Sequence, residues 1–180
     1  MSAGPAPWLA LHPDVQSALA DAAVAAYPKE FCALLFGSDQ IDTASPVSSG
    51  LRVTRVVFAD NVDPNPERGF ELDPAVLVRE LRNLREADRN ERGGGERLLG
   101  HAHSHPDVPA RPSERDLASA FQPDQVWLIV PVRAGVAGRA EAYQLVQQVD
   151  GGAAFRPIRI VESAPENPIR RHAGGGQESP

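Results

Sequence analysis

Lysine and cysteine are nearly absent from this sequence. Lys29 is the single lysine beside 17 arginines, a bias that we attribute to codon usage. Cys32 is the single cysteine, which excludes both a disulfide framework and a cysteine-rich zinc module. No window approaches the roughly 20 apolar residues that a membrane-spanning helix needs. The first residues also lack the basic and apolar regions of a secretory signal. We therefore expect a cytoplasmic protein that does not associate with a membrane.

The overall composition is that of one globular domain. The chain has 180 residues, of which 42% are hydrophobic, enough to bury one core but too few for two comfortable ones. A net charge of -6 and a pI near 5.3 argue against nucleic-acid and anionic-membrane partners. Glycine (15) and proline (17) are frequent, which indicates extensive loops. We expect the domain to span residues 8–163, with disordered tails at 1–7 and 164–180.

Apolar periodicity predicts alternating helices and strands. A helix is expected from Pro13 until Pro28 ends it, and its apolar face is expected to carry Val15, Leu19, Ala22, Ala23 and Ala26. A second helix is expected after the cap residue Asp73, with a buried leucine stripe, and a short third helix after Ser113. The expected strands are the runs EFCALLFG, LRVTRVVFAD, LLG leading into HAHSHP, VWLIVPV, EAYQLVQQV and AAFRPIRIV. This order predicts an α+β (mixed α/β) domain with a central sheet flanked by helices.

Three of the five histidines lie within five positions, in the run HAHSHP. His103 and His105 are two residues apart, so on a strand both imidazoles project from the same face and can meet one ion. Asp116 follows eleven residues later, beyond a proline-rich loop. Two histidines and one carboxylate leave an open position, which is the catalytic rather than the structural arrangement for Zn²⁺. An H-x-H pair is also common as an ordinary polar strand face, so spacing alone leaves both interpretations open.

The wider pattern resembles a known family. The run HSHP at 103–106, followed by Ser113 and Asp116, is similar to the H-S-H-P-x6-S-x-x-D signature of the JAMM (MPN+) metalloproteases. The run YPKEFCALLFG at 27–37 resembles the stretch that carries the family's glutamate, here Glu30. The loop NVDPNPERGFELDP at 61–74 resembles a stretch common in bacterial members, and it has the length and composition of a loop that contacts a ligand. The resemblance covers roughly residues 12–160.

The resemblance implies the fold and a set of site residues. It implies a cytidine-deaminase-like JAMM/MPN fold with a mostly antiparallel sheet, and one Zn²⁺ per chain held by His103, His105 and Asp116. Glu30 would act as general base on water and later protonate the leaving amine. Ser113 would donate to the developing oxyanion and would also cap the helix that carries Asp116.

Three neighbouring residues are not expected to take part in metal binding or catalysis. His101 has the strand parity of the two ligand histidines, but the family usually has an aromatic residue there, so we expect it to pack beside the site rather than to bind the ion. Cys32 is expected to be a small buried hydrophobe. Ala33 departs from the glycine of the family pattern without removing a catalytic group.

Members of this family cleave bonds next to the C-terminal Gly-Gly of ubiquitin or related β-grasp proteins. The chain therefore resembles a zinc peptidase acting on the tail of a ubiquitin-like or sulfur-carrier protein. The alternatives are a zinc amidohydrolase on a small molecule or another peptide, a role like that of the RadC-type proteins, and a non-catalytic scaffold. The acidic charge argues against a DNA-associated role, and the complete set of ligand positions argues against a scaffold. A homodimer is left open by the sequence.

Overall fold

The computed structural model describes residues 8–41, 49–90, 95–120, 122–148 and 151–163. The tails expected at 1–7 and 164–180 lie outside the described residues. In chain order the elements are β1 (Trp8–Leu11), α1 (Pro13–Ala26), β2 (Cys32–Ile41), β3 (Ser49–Ala59), α2 (Pro74–Arg89), β4 (Arg97–Pro106), α3 (Glu114–Ser119), β5 (Val126–Arg133), β6 (Val136–Ala137), β7 (Glu141–Gln147) and β8 (Ala153–Glu162). None of the helices in the described part of the chain is long and apolar enough to cross a membrane.

The strands form one mixed sheet in the order β4-β2-β3-β1-β8-β7-β5-β6. An additional pairing between β4 and β5 closes seven of these strands into a ring. The short strand β6 pairs with the end of β5, beyond the residues that pair with β7. The pairs β1–β3, β1–β8 and β4–β5 are parallel and the others are antiparallel. The predicted α+β class with a mostly antiparallel sheet and packed helices is therefore confirmed.

The two faces of the sheet carry different helices. Helix α1 buries Val15, Leu19 and Ala23 in the main core, which also contains Leu35 and Leu128 from the opposing strands. The opposite face packs against α2, through Leu34, Phe36 and Val57 of β2 and β3. Because residues alternate between faces along a strand, the side chains of His101, His103 and His105 lie on the face opposite α1. The candidate site is thus built on the α2 side.

A β-bulge in β4 determines which of its residues lie on the α2 side of the sheet. Leu35 pairs with Gly100 but Phe36 pairs with Leu98, so Leu99 is an extra residue on β4. The added residue brings Leu98 and His101 to the same face although they are three positions apart. Gly100 has φ +153°, and a Cβ there would lie 2.0 Å from the carbonyl oxygen of Val126, so only glycine fits.

Helix α2 differs from the prediction in one respect. Leu77, Leu81 and Leu84 were expected to be its buried stripe, but all three are only half-buried, and Glu80 is the buried residue of this helix. The Glu80 carboxylate accepts from Arg55 of β3 at 2.8 Å and from Arg79 at 3.1 Å. The Arg55 guanidinium also lies 4.0 Å from the centre of the Phe36 ring. The ion pair joins α2 to the sheet beside the half-buried Leu77 and Leu84, which pack against the apolar cluster of β2 and β3.

Candidate metal centre

Three side chains that commonly ligate metal ions converge at the end of β4. The Nε2 atoms of His103 and His105 are 3.1 Å apart, and they lie 3.7 Å and 3.4 Å from the two carboxylate oxygens of Asp116. One ligand atom from each residue falls within 4.8 Å of the others, and all three residues are buried. The structure therefore brings together the three residues that the sequence pattern singled out, as a group that could bind a metal ion.

A capping box fixes Asp116. The Ser113 hydroxyl accepts the Asp116 backbone N–H at 3.1 Å, and Asp116 Oδ2 accepts the Ser113 backbone N–H at 2.6 Å. The Ser113 hydroxyl also donates to Oδ2 at 2.7 Å. The cap expected at Ser113 is present, and it holds the carboxylate toward the histidines because these reciprocal bonds define the first turn of α3.

The two histidines are oriented by different means. His105 Nδ1 lies 3.0 Å from the Pro109 carbonyl oxygen, which can only accept, so Nδ1 carries a proton and Nε2 is the atom that could bind an ion. His103 Nδ1 is buried and has no hydrogen-bond partner among the described residues. The Phe70 ring instead stacks on the His103 ring, with centroids 4.3 Å apart and planes 20° apart.

Glu30 lies two residues before β2 and is 7% exposed. Its backbone N–H donates to the Pro66 carbonyl at 2.6 Å, and its carbonyl accepts from the Asn61 side chain at 2.9 Å. One residue on, the Phe31 N–H donates to the Ser104 hydroxyl at 2.9 Å. Glu30 Oε2 is buried without a hydrogen-bond partner among the described residues. A buried carboxylate oxygen without a protein donor fits a place beside a metal ion and its water.

Burial is the largest single influence on the pKa values of the site, and for two of the groups other contacts outweigh it. Burial raises the pKa of Glu30 to about 7, and the charges of His105 and Asp116 act on that pKa in opposite directions. Burial, together with His101, also holds the pKa of His103 well below its usual value. Burial of His105 favours its neutral form, but hydrogen bonds to Asp116 and to the Pro109 carbonyl outweigh this effect and raise the pKa. Burial acts to raise the pKa of Asp116, but the hydrogen bond with His105, the charge of His103 and the hydrogen bonds from Ser113 outweigh it and lower that pKa. Neutral His103 and anionic Asp116 are the protonation states that bind a metal ion.

The loop at 61–74 packs against the cluster, where Phe70 stacks on His103. The Asn61 side chain donates to the carbonyls of Glu30 and Gly69 and accepts the N–H groups of Asp63 and Glu71. The Asn61 carboxamide therefore closes the loop on itself and joins it to Glu30, two residues before β2.

A second contact fastens the loop to α3. Arg115, which precedes Asp116, pairs with buried Asp63 and donates to the Arg68 carbonyl at 3.2 Å. Its guanidinium lies against Gly69, where a Cβ would come within 2.4 Å of it. A larger residue at position 69 would have to displace this guanidinium, which is the flexible end of the Arg115 side chain. The loop and the helix that carries Asp116 are thus held as one unit.

His101 and Cys32 border the cluster. His101 packs edge-on against Trp127 at 4.1 Å and beside Phe70 at 5.0 Å, and burial lowers its pKa to about 4. Cys32 pairs with His103 across the sheet, and burial raises the pKa of its thiol to about 12. His101 lies outside the group of three that could hold an ion.

Several residues of the site were not predicted from the sequence, chiefly Ser104, Phe70 and Arg115. Ser104 lies inside the HSHP run, but a serine in a strand gives no sign that its hydroxyl meets a backbone N–H 73 residues away. Phe70 and Arg115 act through contacts between a loop and a helix. The only available signal was the unusual length of the 61–74 loop.

The fold and the buried cluster define a mixed α+β domain with a candidate His-His-Asp metal centre. Residues 12–146 match the model of the family described as prokaryotic homologs of the JAB domain. The chain belongs to this family, and the resemblance seen in the sequence is confirmed.

Individual relatives agree with this assignment. A Thermus thermophilus protein named "Probable TtuB-protein conjugate cleaving protease" is 38% identical over 68 residues, which are 38% of this chain and 41% of that protein. The chain thus matches about two fifths of the length of that curated relative. A solution structure from Desulfitobacterium hafniense is 26% identical, with a TM-score of 0.63, and covers 87% of this chain and 94% of its own. One from Salinibacter ruber is 32% identical, with a TM-score of 0.53, over 89% and 95%.

Proposed function

We propose that the protein is a zinc-dependent metallopeptidase that hydrolyses a peptide or isopeptide bond at the C-terminal tail of a ubiquitin-like or sulfur-carrier protein. The observation that carries the proposal is the buried group of His103, His105 and Asp116 beside a buried Glu30. A peptide bond resists attack by neutral water, so its hydrolysis needs an activated water, a polarised carbonyl and a proton donor for the amine.

The donor set suits zinc. Two imidazole nitrogens and one carboxylate oxygen are ligands that Zn²⁺ accepts readily, and three protein ligands leave one position for water or substrate. One zinc ion held by His103, His105 and Asp116 would supply Lewis acidity, which lowers the pKa of water and polarises a carbonyl. The bond from His105 Nδ1 to the Pro109 carbonyl orients the ring so that Nε2 faces this position.

Glu30 is proposed to move the proton. Its carboxylate would accept a proton from the attacking water and then donate it to the departing amine. Both tasks require a side chain that exchanges a proton near neutral pH, and burial brings the pKa of Glu30 to about 7. Its Oε2 has no protein donor in the described part of the chain, so it is free to accept from water.

Ser113 is proposed to stabilise the oxyanion. Its single hydroxyl hydrogen points to Asp116 Oδ2 in this structure. Rotation about the Cβ–Oγ bond would direct that hydrogen to a substrate oxygen while Oγ still accepts the Asp116 N–H. The cap and the catalytic donor are thus compatible roles for one side chain.

A polypeptide substrate is supported by the surroundings of the site. Val62, Val108 and Leu117 lie on the three segments that surround the cluster and are 48%, 52% and 42% exposed. Exposed apolar side chains of this kind suit contact with a protein better than with a small charged molecule. The relative from Thermus thermophilus is named for cleaving protein conjugates, which supports the same class of substrate.

The test uses a β-grasp sulfur carrier fused through its Gly-Gly tail to a reporter protein. We expect purified enzyme to contain one zinc per chain and to release the carrier with a free Gly-Gly terminus, as measured by metal analysis and intact mass. Glu30→Gln should retain zinc and lose cleavage. Zinc-free protein purified without chelator, or full activity in Glu30→Gln, would overturn the proposal. Cleavage only of small amides would favour the amidohydrolase, and zinc binding without any hydrolysis would favour a scaffold.

A further inference from the structure

The two histidines of the candidate centre are supported unequally. A metal-ligating histidine usually donates its second ring N–H to a carboxylate, a carbonyl or water, which fixes the orientation of the ring. His105 follows this pattern through the Pro109 carbonyl. His103, which is 0% exposed, has no such partner for Nδ1 among the described residues. Its orientation must depend on packing.

Phe70 supplies that packing. Its ring lies nearly parallel to the His103 ring, with a centroid distance of 4.3 Å, within the range for stacked aromatic pairs. Trp127 meets the same imidazole edge-on at 5.8 Å and at 89°. The imidazole is therefore held by one face-to-face and one edge-to-face contact, and rotation about its χ2 angle would break the stacking.

The segment that carries Phe70 is itself well anchored. Asn61 Nδ2 donates to the carbonyl of Gly69, the residue before Phe70, and Asn61 Oδ1 accepts the N–H of Glu71, the residue after it. Arg115 adds a tie from the loop to α3, through Asp63. Both neighbours of Phe70 in the chain are therefore fixed by one side chain, which leaves the ring little freedom to move away from His103.

We infer that Phe70 is a positioning residue for the metal centre: its ring orients the His103 imidazole and takes the place of the hydrogen bond that usually does so. This inference rests on the proposed function, because it concerns the metal site on which that function depends. Phe70 itself offers no ligand atom and acts only through His103. The contribution should therefore be seen in metal binding as well as in catalysis.

The test measures metal binding directly in three variants. Phe70→Leu and Phe70→Met remove the ring and keep an apolar side chain, whereas Phe70→Tyr keeps the ring. Zinc affinity is measured by competition with a chromophoric chelator. The visible d–d spectrum of Co²⁺ added to metal-free protein reports the ligand arrangement. We expect Phe70→Leu and Phe70→Met to bind zinc about 10-fold more weakly, as for other changes beside a metal ligand, and to alter the Co²⁺ spectrum. Phe70→Tyr should match the wild type in both.

Phe155→Leu is the matched control. Phe155 packs against Trp127 at 4.9 Å, and none of its described ring contacts is to a histidine. It should lower stability without changing zinc affinity or the Co²⁺ spectrum. Wild-type zinc affinity and an unchanged spectrum in either Phe70→Leu or Phe70→Met would overturn the inference while leaving the proposed function intact. Failure of the wild-type protein to bind zinc would overturn both.

Discussion

The Ser104 hydroxyl accepts the backbone N–H of Phe31 at 2.9 Å, and the Ser104 N–H donates to the Phe31 carbonyl. Ser104 stands between the two histidines of the candidate centre, and Phe31 follows Glu30. The pair therefore sets the position of the buried glutamate relative to the histidines. Ser104, which is 0% exposed, thus holds the motif around Glu30 and the histidine motif at a fixed distance, although the two are far apart in the sequence.

Ser104→Ala is expected to lower the free energy of unfolding by about 1–3 kcal/mol, because it leaves the buried Phe31 N–H without its side-chain acceptor. Peptidase activity should fall as well, since Glu30 is then less firmly placed, while zinc remains bound. Chemical denaturation and a metal assay measure the two effects. Ser17→Ala, on the exposed side of α1, is the control and should stay within about 0.5 kcal/mol of the wild type. An unchanged stability in Ser104→Ala would contradict the structural role.

Asn61→Asp is expected to destabilise the loop at 61–74. The substitution keeps the shape of the side chain but replaces the amide donor with an oxygen, so the carbonyls of Glu30 and Gly69 lose their donor. A loss of about 2 kcal/mol is expected for groups of this kind. Faster proteolysis within the loop should accompany it. Asn65→Asp, an exposed change in the same loop with the same gain of charge, should have little effect. Equal destabilisation by both changes would indicate that charge, and not the lost donor, is responsible.

Sequence periodicity predicted the elements that are defined by residues close together in the chain. Helix α1 and the strand ending in HSHP are defined by residues that are close in the chain. β1 was missed because Trp8–Leu11 is only four residues long and pairs in parallel with β3 and β8, whose sequences are far away. β6, with two residues, is too short to give a pattern.

The three residues of the cluster were singled out because the motif spacing is specific, but most of the contacts that hold them in place were not predicted. Glu80 lies on the same helix face as Leu77 and Leu84, but a charged residue gives no sign in the sequence that it will be buried. Its burial becomes favourable through the partner Arg55, which lies on another element. Phe70 is likewise one apolar residue in a loop until the fold places it on His103. Contacts of this kind depend on the tertiary structure, which a single sequence does not display.

Zinc should stabilise the folded protein through the cluster at the end of β4. A ligand that binds only the folded state raises the free energy of unfolding by about 2.7 kcal/mol when its free concentration is 100 times Kd. Adding zinc to chelator-treated protein is therefore expected to raise the midpoint of thermal unfolding. The increase should vanish in Asp116→Asn and persist in Asp88→Asn, an exposed change on α2. A zinc-dependent increase that survives in Asp116→Asn would place the ion elsewhere.

The Arg55–Glu80 pair should make stability depend on pH in the acidic range. Burial by itself raises the pKa of the Glu80 carboxyl, but hydrogen bonds and charge from Arg79 and Arg55 outweigh it, and the pKa lies below the usual 4.5. A carboxyl whose pKa is depressed by folding contributes stability that is fully present above the unfolded pKa. That contribution is lost as the pH falls through the lower, folded pKa.

Glu80→Gln is therefore expected to cost about 2–3 kcal/mol at pH 7, the magnitude of hydrogen bonds to a charged group. The gap between wild type and variant should stay constant from pH 7 to about 5 and narrow as the pH is lowered to 3, because the wild-type carboxyl also becomes neutral. Urea denaturation at a series of pH values measures both curves. Glu86→Gln, exposed on the same helix, should run parallel to the wild type throughout. A gap between wild type and Glu80→Gln that does not narrow below pH 4.5 would show that the charge of Glu80 is not what holds α2 to the sheet.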